Sequence, residues 1–208
     1  MSGSGQDLPR QAAAAGQPAW RAALLRLWRG PAGTVLVMVG VFLVVHMWQT
    51  RGVQADALPM NATVTLLGPD GREFQTTLGQ AVAAARTVHA EGSASTPVAL
   101  YFWAEWCSIC KLQQPSIGAL QQDWPVLTIA MQSGPPGEVA RAQQQRALPW
   151  TTVVDETGAL TAGVGFHAVP AFAVIDSAGQ LRAPTAGYTT GWGMRLRLWW
   201  VRASRGRA

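Results

Sequence analysis

Residues 102–111 read Phe-Trp-Ala-Glu-Trp-Cys-Ser-Ile-Cys-Lys and hold both cysteines of the 208-residue chain. An apolar run typical of a buried strand, 98–103, leads into this stretch, and a helix is expected from Cys107 to about residue 124. Cys107 and Cys110 would then lie one turn apart at a helix start, where unpaired N–H groups and the helix dipole stabilise a thiolate. This arrangement predicts thiol–disulfide exchange, with Cys107 as the exposed nucleophile and Cys110 as the buried resolving thiol.

Other uses of the cysteine pair remain open. A zinc site needs two more ligands, and His89 and His167 are the only histidines in the same part of the chain. An inert structural disulfide and a soft Cu(I) site are further alternatives, although no methionine-rich cluster accompanies the thiols. The chain has no flavin or nicotinamide motif. We therefore expect no cofactor and no resident metal.

The net charge of +5 is distributed unevenly. Residues 1–52 carry five Arg and one Asp, residues 53–194 carry six basic and ten acidic groups, and residues 195–208 carry five Arg and no acid. A nucleic-acid-binding domain would carry its basic excess on the folded part of the chain. The acidic middle therefore excludes nucleic acid as the main partner.

A transmembrane helix is expected over residues 31–49. The nineteen residues between Trp28 and Trp48 would span about 28 Å as a helix, close to the thickness of a bilayer's hydrocarbon core. Three arginines precede this run and one follows it closely, so the positive-inside rule places the tail 1–30 in the cytoplasm and the rest of the chain outside. A signal peptide cleaved after 55–57 and a buried core helix are the alternatives.

Residues 50–60 are interpreted as a linker and residues 61–204 as one domain. The domain begins with a β-hairpin around the turn residues 68–71, followed by a capping box at Thr77 and Gln80 that opens a helix. Further strands are expected at 126–131, 151–154, 170–175 and 181–187, and further helices at 137–148, near 160 and at 191–203. Such alternation predicts an α/β fold with a mixed sheet between helices.

The closing helix carries apolar residues at helical spacing. Trp192, Leu196, Trp199 and Ala203 are expected to form its core-facing side. The arginines around them are expected to form a solvated face, with contact to membrane headgroups as the alternative.

Residues 102–111 resemble the active-site segment of thioredoxins, F-W-A-x-W-C-x-x-C-K. Three separate matches support this resemblance: Pro115 at the helix-kinking proline, Val169-Pro170 at the cis-proline, and Gly187 at the glycine before the last helix. The resemblance covers roughly residues 61–204 and implies a thioredoxin fold with an N-terminal hairpin extension.

Within that family, a single membrane helix before the domain is similar to the TlpA-type reductases. The closing segment 187–200 is similar to the suppressor-for-copper-sensitivity protein D group.

The resemblance also implies roles for individual residues. Cys107 attacks the substrate, Cys110 resolves the mixed disulfide, and Trp106 shields the thiolate. The backbone of Val169 pairs with a substrate strand, and Pro170, in cis, aims that backbone and keeps metal ions from the sulfurs. For Trp103 we expect a core position. For His167 we expect a surface or packing position, with a position close enough to Cys107 to favour its thiolate as the alternative.

The chain departs from the thioredoxin pattern at two places. Tyr101 occupies the position of a buried Asp that helps to deprotonate the resolving cysteine, which leaves water, the Tyr101 hydroxyl or Glu105 as proton acceptor for Cys110. Ser108-Ile109 replaces the common Gly-Pro between the cysteines, and these residues tune the redox potential.

Together these features predict a single-pass protein of the bacterial inner membrane with its domain in the periplasm. It would reduce disulfides in exported proteins and receive electrons from a transmembrane thiol carrier of the DsbD type, in the setting of copper tolerance. The alternatives are a cytochrome c biogenesis thioredoxin, a disulfide oxidant and a Cu(I)-handling protein.

Overall fold

The computed structural model describes residues 31–50, 58–88 and 96–204. The expected cytoplasmic tail, the linker residues 51–57 and His89 therefore lie outside the described residues. Internal contacts divide the chain into two compact units, Met1–Val45 and His46–Ala208.

Helix α1 runs over Pro31–Thr50 and contains no Asp, Glu, Lys or Arg. Leu36 and Met38 are among its exposed apolar side chains. No helix in the described ranges meets the combined length and apolarity needed to traverse a bilayer. The predicted transmembrane helix 31–49 coincides with α1 in position, but its membrane-spanning role is not confirmed.

The second unit is built on one mixed seven-stranded sheet. The strands are β1 Thr63–Leu67, β2 Glu73–Thr77, β3 Val98–Trp103, β4 Val126–Met131, β5 Thr152–Asp155, β6 Ala171–Ile175 and β7 Leu181–Ala186, in the spatial order β2-β1-β5-β4-β3-β6-β7. Strands β3, β4 and β5 are parallel, whereas the β1–β2, β1–β5, β3–β6 and β6–β7 pairs are antiparallel. The predicted mixed sheet and N-terminal hairpin are both present.

Helices cover both faces of the sheet. They are α2 Leu78–Thr87, α3 Ser108–Leu120, α4 Pro136–Gln145, α5 Ala159–Gly163 and α6 Gly191–Ser204. Thr77 and Gln80 form the predicted reciprocal capping box at the start of α2. Alternation along β3 places Tyr101 and Trp103 in the core with α3, α4 and α6, and Phe102 in the core with α2.

The predicted core-facing side of the closing helix is wrong. Met194, Leu198 and Val201 are buried, whereas Trp192 and Leu196 are exposed, as are Trp199 and Ala203. Both sets recur at spacings of three and four residues, so periodicity alone cannot distinguish them. The buried set, which has no aromatic residue, packs with Ile117 and Leu120 of α3. The set that contains the tryptophans remains exposed.

Candidate active site

The site lies where the central strand β3 ends and helix α3 begins. Cys107 is the N-cap of α3, and its Sγ accepts a hydrogen bond from the Cys110 backbone N–H at 3.0 Å. A disulfide joins the two residues with an S–S distance of 2.16 Å. The prediction that Cys107 is exposed is wrong for this disulfide form: Cys107 is only 6% exposed, because it packs into the core beside the sheet. Cys110 is 1% exposed and is buried, as predicted. A thiolate released at Cys107 would therefore meet a directed N–H donor and the positive end of the helix dipole.

The segment before β6 borders the disulfide. The Val169–Pro170 bond is cis, as the resemblance implies, and the Val169 carbonyl oxygen lies 3.6 Å from the Cys107 Sγ. The Gly187 N–H donates to the Pro170 carbonyl at 2.7 Å and ties this segment to the end of β7. Val169 is half-buried and Pro170 buried. Backbone polar groups are thus held close to the Cys107 sulfur.

Exposed apolar side chains flank the cysteines in sequence. Trp106 is 60% exposed, and its indole N–H donates to the Gln132 carbonyl at 3.0 Å. Ile109 and Leu112 are exposed by 51% and 74%. The apolar side chains next to the cysteines in sequence therefore face solvent. Trp103, in contrast, is fully buried, edge-on to Trp150, as expected for a core aromatic.

Tyr101 lies in the core beneath the site. Its ring is fully buried, edge-on to Trp150 at 5.9 Å between centroids, and its hydroxyl donates to the Cys110 carbonyl at 3.4 Å. Burial raises the pKa of Tyr101 well above its ordinary value. The hydroxyl therefore stays protonated at any physiological pH, which is the wrong state for a base.

Glu105 is engaged by a partner that the sequence did not reveal. Its carboxylate pairs with Arg146, which is the C-cap of α4, and its backbone N–H donates to the Ser133 hydroxyl at 3.0 Å. Forty-one residues separate Glu105 from Arg146, and no local pattern indicates such a pair. His167 is exposed, as expected of a surface residue.

Gln113 is a second residue that sequence reasoning missed. It is fully buried, three positions after Cys110, and its side-chain oxygen accepts the Thr189 N–H at 3.4 Å. Its place on the buried face of α3 follows from helical periodicity, but a polar residue type gives no sign of burial. The contact connects α3 to the segment that precedes α6.

Comparison with known proteins agrees with this geometry. The model of the redoxin family matches residues 69–191. The chain belongs to the redoxin family. With its thioredoxin-like α/β fold and its Cys-x-x-Cys pair at disulfide distance, the domain is a thioredoxin-like oxidoreductase.

The chain is also similar to individual proteins. A thioredoxin-like protein of Haemophilus influenzae is 30% identical over 106 residues, which are 50% of this chain and 63% of that protein. The methylamine utilization protein MauD of Paracoccus versutus is 26% identical over 159 residues, 76% of this chain and 77% of that one. The crystal structure of a thiol:disulfide interchange protein DsbE from Chlorobium tepidum covers 72% of this chain and 99% of its own, with 17% identity and a TM-score of 0.54. The last likeness concerns the fold alone.

We predict that Tyr101→Phe removes part of the alkaline destabilisation of the oxidised protein. In the unfolded chain Tyr ionises near pH 10, whereas burial holds the folded group protonated. The stabilising effect of the raised pKa is complete below about pH 10 and is lost as the pH rises further. Phe should cost about 1 kcal/mol at pH 7 through the lost hydroxyl contact, and this deficit should shrink above about pH 10. Urea unfolding of the variant and the unaltered protein from pH 7 to pH 11 measures the deficit at pH 7 and its decrease at alkaline pH.

The same variant tests whether Tyr101 accepts the Cys110 proton. Because the hydroxyl is a donor to the Cys110 carbonyl, we expect Tyr101→Phe to leave the rate of mixed-disulfide resolution nearly unchanged across pH 6–8. A drop of about tenfold or more, which corresponds to roughly 1.4 kcal/mol in the barrier, would show that the hydroxyl takes part in proton transfer.

Proposed function

We propose that this chain is a membrane-tethered, periplasm-facing thiol–disulfide oxidoreductase that acts mainly as a disulfide reductase. The observation that carries the proposal is the position of Cys107. Its sulfur is the N-cap of α3, accepts the Cys110 N–H and lies 3.6 Å from the Val169 carbonyl oxygen. One atom thus combines thiolate stabilisation with access to a backbone segment that can hold a substrate.

The exchange takes place in two displacements. In the reduced protein the Cys107 thiolate attacks one sulfur of a substrate disulfide, which breaks the substrate S–S bond, releases one thiolate and leaves a mixed disulfide. The Cys110 thiolate then attacks the Cys107 sulfur, forms the Cys107–Cys110 disulfide and releases the second substrate thiolate. Two electrons have moved from the dithiol to the substrate, and both released thiolates take protons from solvent.

The substrate segment binds beside Val169. Strand β6 begins at Ala171 and is paired from there with β3 and β7, so Val169 precedes the paired region. An extended substrate can add its backbone there by β-augmentation. Trp106 supplies an exposed apolar contact beside the attacking sulfur, and Pro170 fixes the direction of the Val169 backbone.

Water is the proton acceptor that we propose for Cys110. The Tyr101 hydroxyl is a hydrogen-bond donor with a raised pKa, so it is already protonated. The Glu105 carboxylate is paired with Arg146 through Oε1, and the positive charge of Arg146 favours the ionised form of Glu105 over a carboxyl that has taken up a proton. Resolution would then depend on solvent entering the site when the disulfide opens.

The electron source and the substrates follow from the chemistry of exchange. A reductase must be re-reduced after each cycle, and the chain carries no motif for a flavin or a nicotinamide. A transmembrane thiol carrier of the DsbD type can supply the electrons through the same two displacements in reverse. Disulfide-containing exported proteins are the proposed substrates.

The tether is proposed from the N-terminal sequence. The 20-residue helix α1 contains no Asp, Glu, Lys or Arg, exposes several apolar side chains and follows an arginine-containing segment. We propose that it anchors the protein in the bacterial inner membrane with its N-terminus in the cytoplasm. Similarity of residues 187–200 to the copper-sensitivity group suggests copper tolerance as the setting.

Substitution of the resolving cysteine should trap the substrate. In Cys110→Ser the first displacement proceeds and the second cannot, so mixed disulfides with exported proteins should accumulate. They should appear on non-reducing gels as bands that vanish with dithiothreitol. The matched control Cys107→Ser should trap none, and equal trapping by both variants would contradict the assignment of Cys107 as nucleophile.

The reduction potential decides the direction of electron flow. We expect the Cys107–Cys110 pair of the full chain to equilibrate with glutathione near the thioredoxin end of the scale, at about −270 mV. A value near about −120 mV would identify a disulfide donor instead. Absence of exchange together with Cu(I) binding would favour the copper-handling alternative.

The tether can be tested separately from the chemistry. We expect the full chain to stay in the membrane fraction after alkaline carbonate extraction, and a variant with Val39→Arg and Val41→Arg in α1 to be released. Release of the unaltered chain would contradict the anchor and leave the exchange chemistry intact.

A further inference from the structure

Helix α6 is apolar on two opposite faces. Met194, Leu198 and Val201 are buried in the core. Four apolar residues on the other side are exposed by 59–80%. They are Trp192, Leu196, Trp199 and Trp200, and we call them the outer tryptophan face.

The geometry of the helix makes this face continuous. At about 100° per residue, Trp192, Leu196 and Trp199 lie within about 60° of one another, roughly opposite the buried set. Given the size of an indole ring, the exposed apolar area of the face is on the order of 500 Å². Contiguous apolar patches of this size mark interaction surfaces. Nothing in the packing of the domain requires three tryptophans here, since the aliphatic face already supplies the core contact.

The charges around the face select its partner. From Arg195 onward the chain contains five arginines and no acidic residue. Arg195 is paired with Asp123, but Arg202 is exposed, stacks over Trp124 at 6.0 Å and has no acidic partner among the described residues. The preceding part of the domain, in contrast, carries an acidic excess. A negatively charged surface would attract the α6 end of the domain and repel the remainder.

We propose that the outer tryptophan face is a membrane-binding surface that lies in the headgroup region of an anionic phospholipid bilayer. Indole rings have an apolar body and one N–H donor, and they favour this boundary between hydrocarbon and water. Arginines at the border of an apolar helix face bind lipid phosphates. The domain therefore rests on the bilayer through α6, in an orientation fixed by the helix. This inference goes beyond the exchange chemistry and does not require that α1 spans the membrane.

Fluorescence quenching in vesicles tests the proposal on the full chain. Three single variants, Trp192→Phe, Trp199→Phe and Trp200→Phe, each remove one indole and keep an apolar ring. In phosphatidylglycerol-containing vesicles, each should lose emission that doxyl-labelled lipid quenches and aqueous acrylamide does not. The loss should be smaller in vesicles of phosphatidylcholine alone, because the anionic charge is missing.

A matched control reports on the opposite end of the sheet. Phe74 on β2 is 49% exposed, and β2 and β7 are the two edges of the seven-stranded sheet. The emission gained in Phe74→Trp should be quenched by acrylamide and not by the labelled lipid. This variant shows that lipid quenching is specific to α6 and not general to the domain.

A charge placed in the middle of the face gives a second, independent readout. Leu196→Glu should transfer the emission of Trp192 and Trp199 from lipid quenching to acrylamide quenching, while disulfide reduction by the same protein reports that the domain is folded. The proposal is overturned if the three indoles of the unaltered chain are quenched by acrylamide alone, which places them in water. It is equally overturned if neither quencher reaches them, which would mean that a second copy or another protein covers the face.

Discussion

The hydrogen bond from the Cys110 N–H to the Cys107 sulfur depends on where strand β3 ends. Strand β3 lies between β4 and β6 in the middle of the sheet, and every one of its residues is buried. Because Phe102 is paired with Ala171, the segment before Ala171 continues past the last paired residue of β3 towards the start of α3. The sheet register thus brings Val169 to Cys107, although sixty-two residues separate them. A shift of one residue in this register would turn the alternating side chains of β3 to the wrong faces and break the core on both sides.

Signals contained in a few neighbouring residues predicted most of the fold. The apolar run of β3, the turn at residues 68–71 and the Thr77–Gln80 capping box each define an element without reference to the rest of the chain. The long-range partners could not be predicted in this way. Arg146 meets Glu105 only because α4 ends beside the loop that follows β3, and the burial of Gln113 depends on the segment around Thr189. The two apolar faces of α6 have equivalent periodicity, so only the surface that α3 and the sheet present selects the aliphatic one.

Tyr101 stands where the thioredoxin pattern has a buried carboxylate. This difference changes which polar groups the core beneath the disulfide must accommodate. An ionised Asp in this core would require compensation for its lost hydration, whereas the Tyr101 ring packs edge-on to Trp150 and has one polar atom to satisfy. The hydroxyl finds its acceptor in the Cys110 carbonyl. The tyrosine therefore favours packing beneath the disulfide, and under the proposed mechanism solvent would take the proton of Cys110 in place of a fixed side chain.

The connection between α3 and α6 links the proposed membrane surface to the redox centre. Thr189, just before α6, donates to Gln113, which lies one helical turn after Cys110. Arg195 adds a second attachment through Asp123 and the Ala119 carbonyl at the far end of α3. With the middle and the C-terminal end of α3 both attached to α6 and its approach, an α6 that rests on lipid would hold the N-cap sulfur at a set height above the bilayer. The transmembrane electron donor proposed above would reach Cys107 most readily if its own thiols lie close to the membrane surface. The exposed tryptophans and the buried glutamine would then serve one purpose, which is to keep Cys107 where such a donor can reach it.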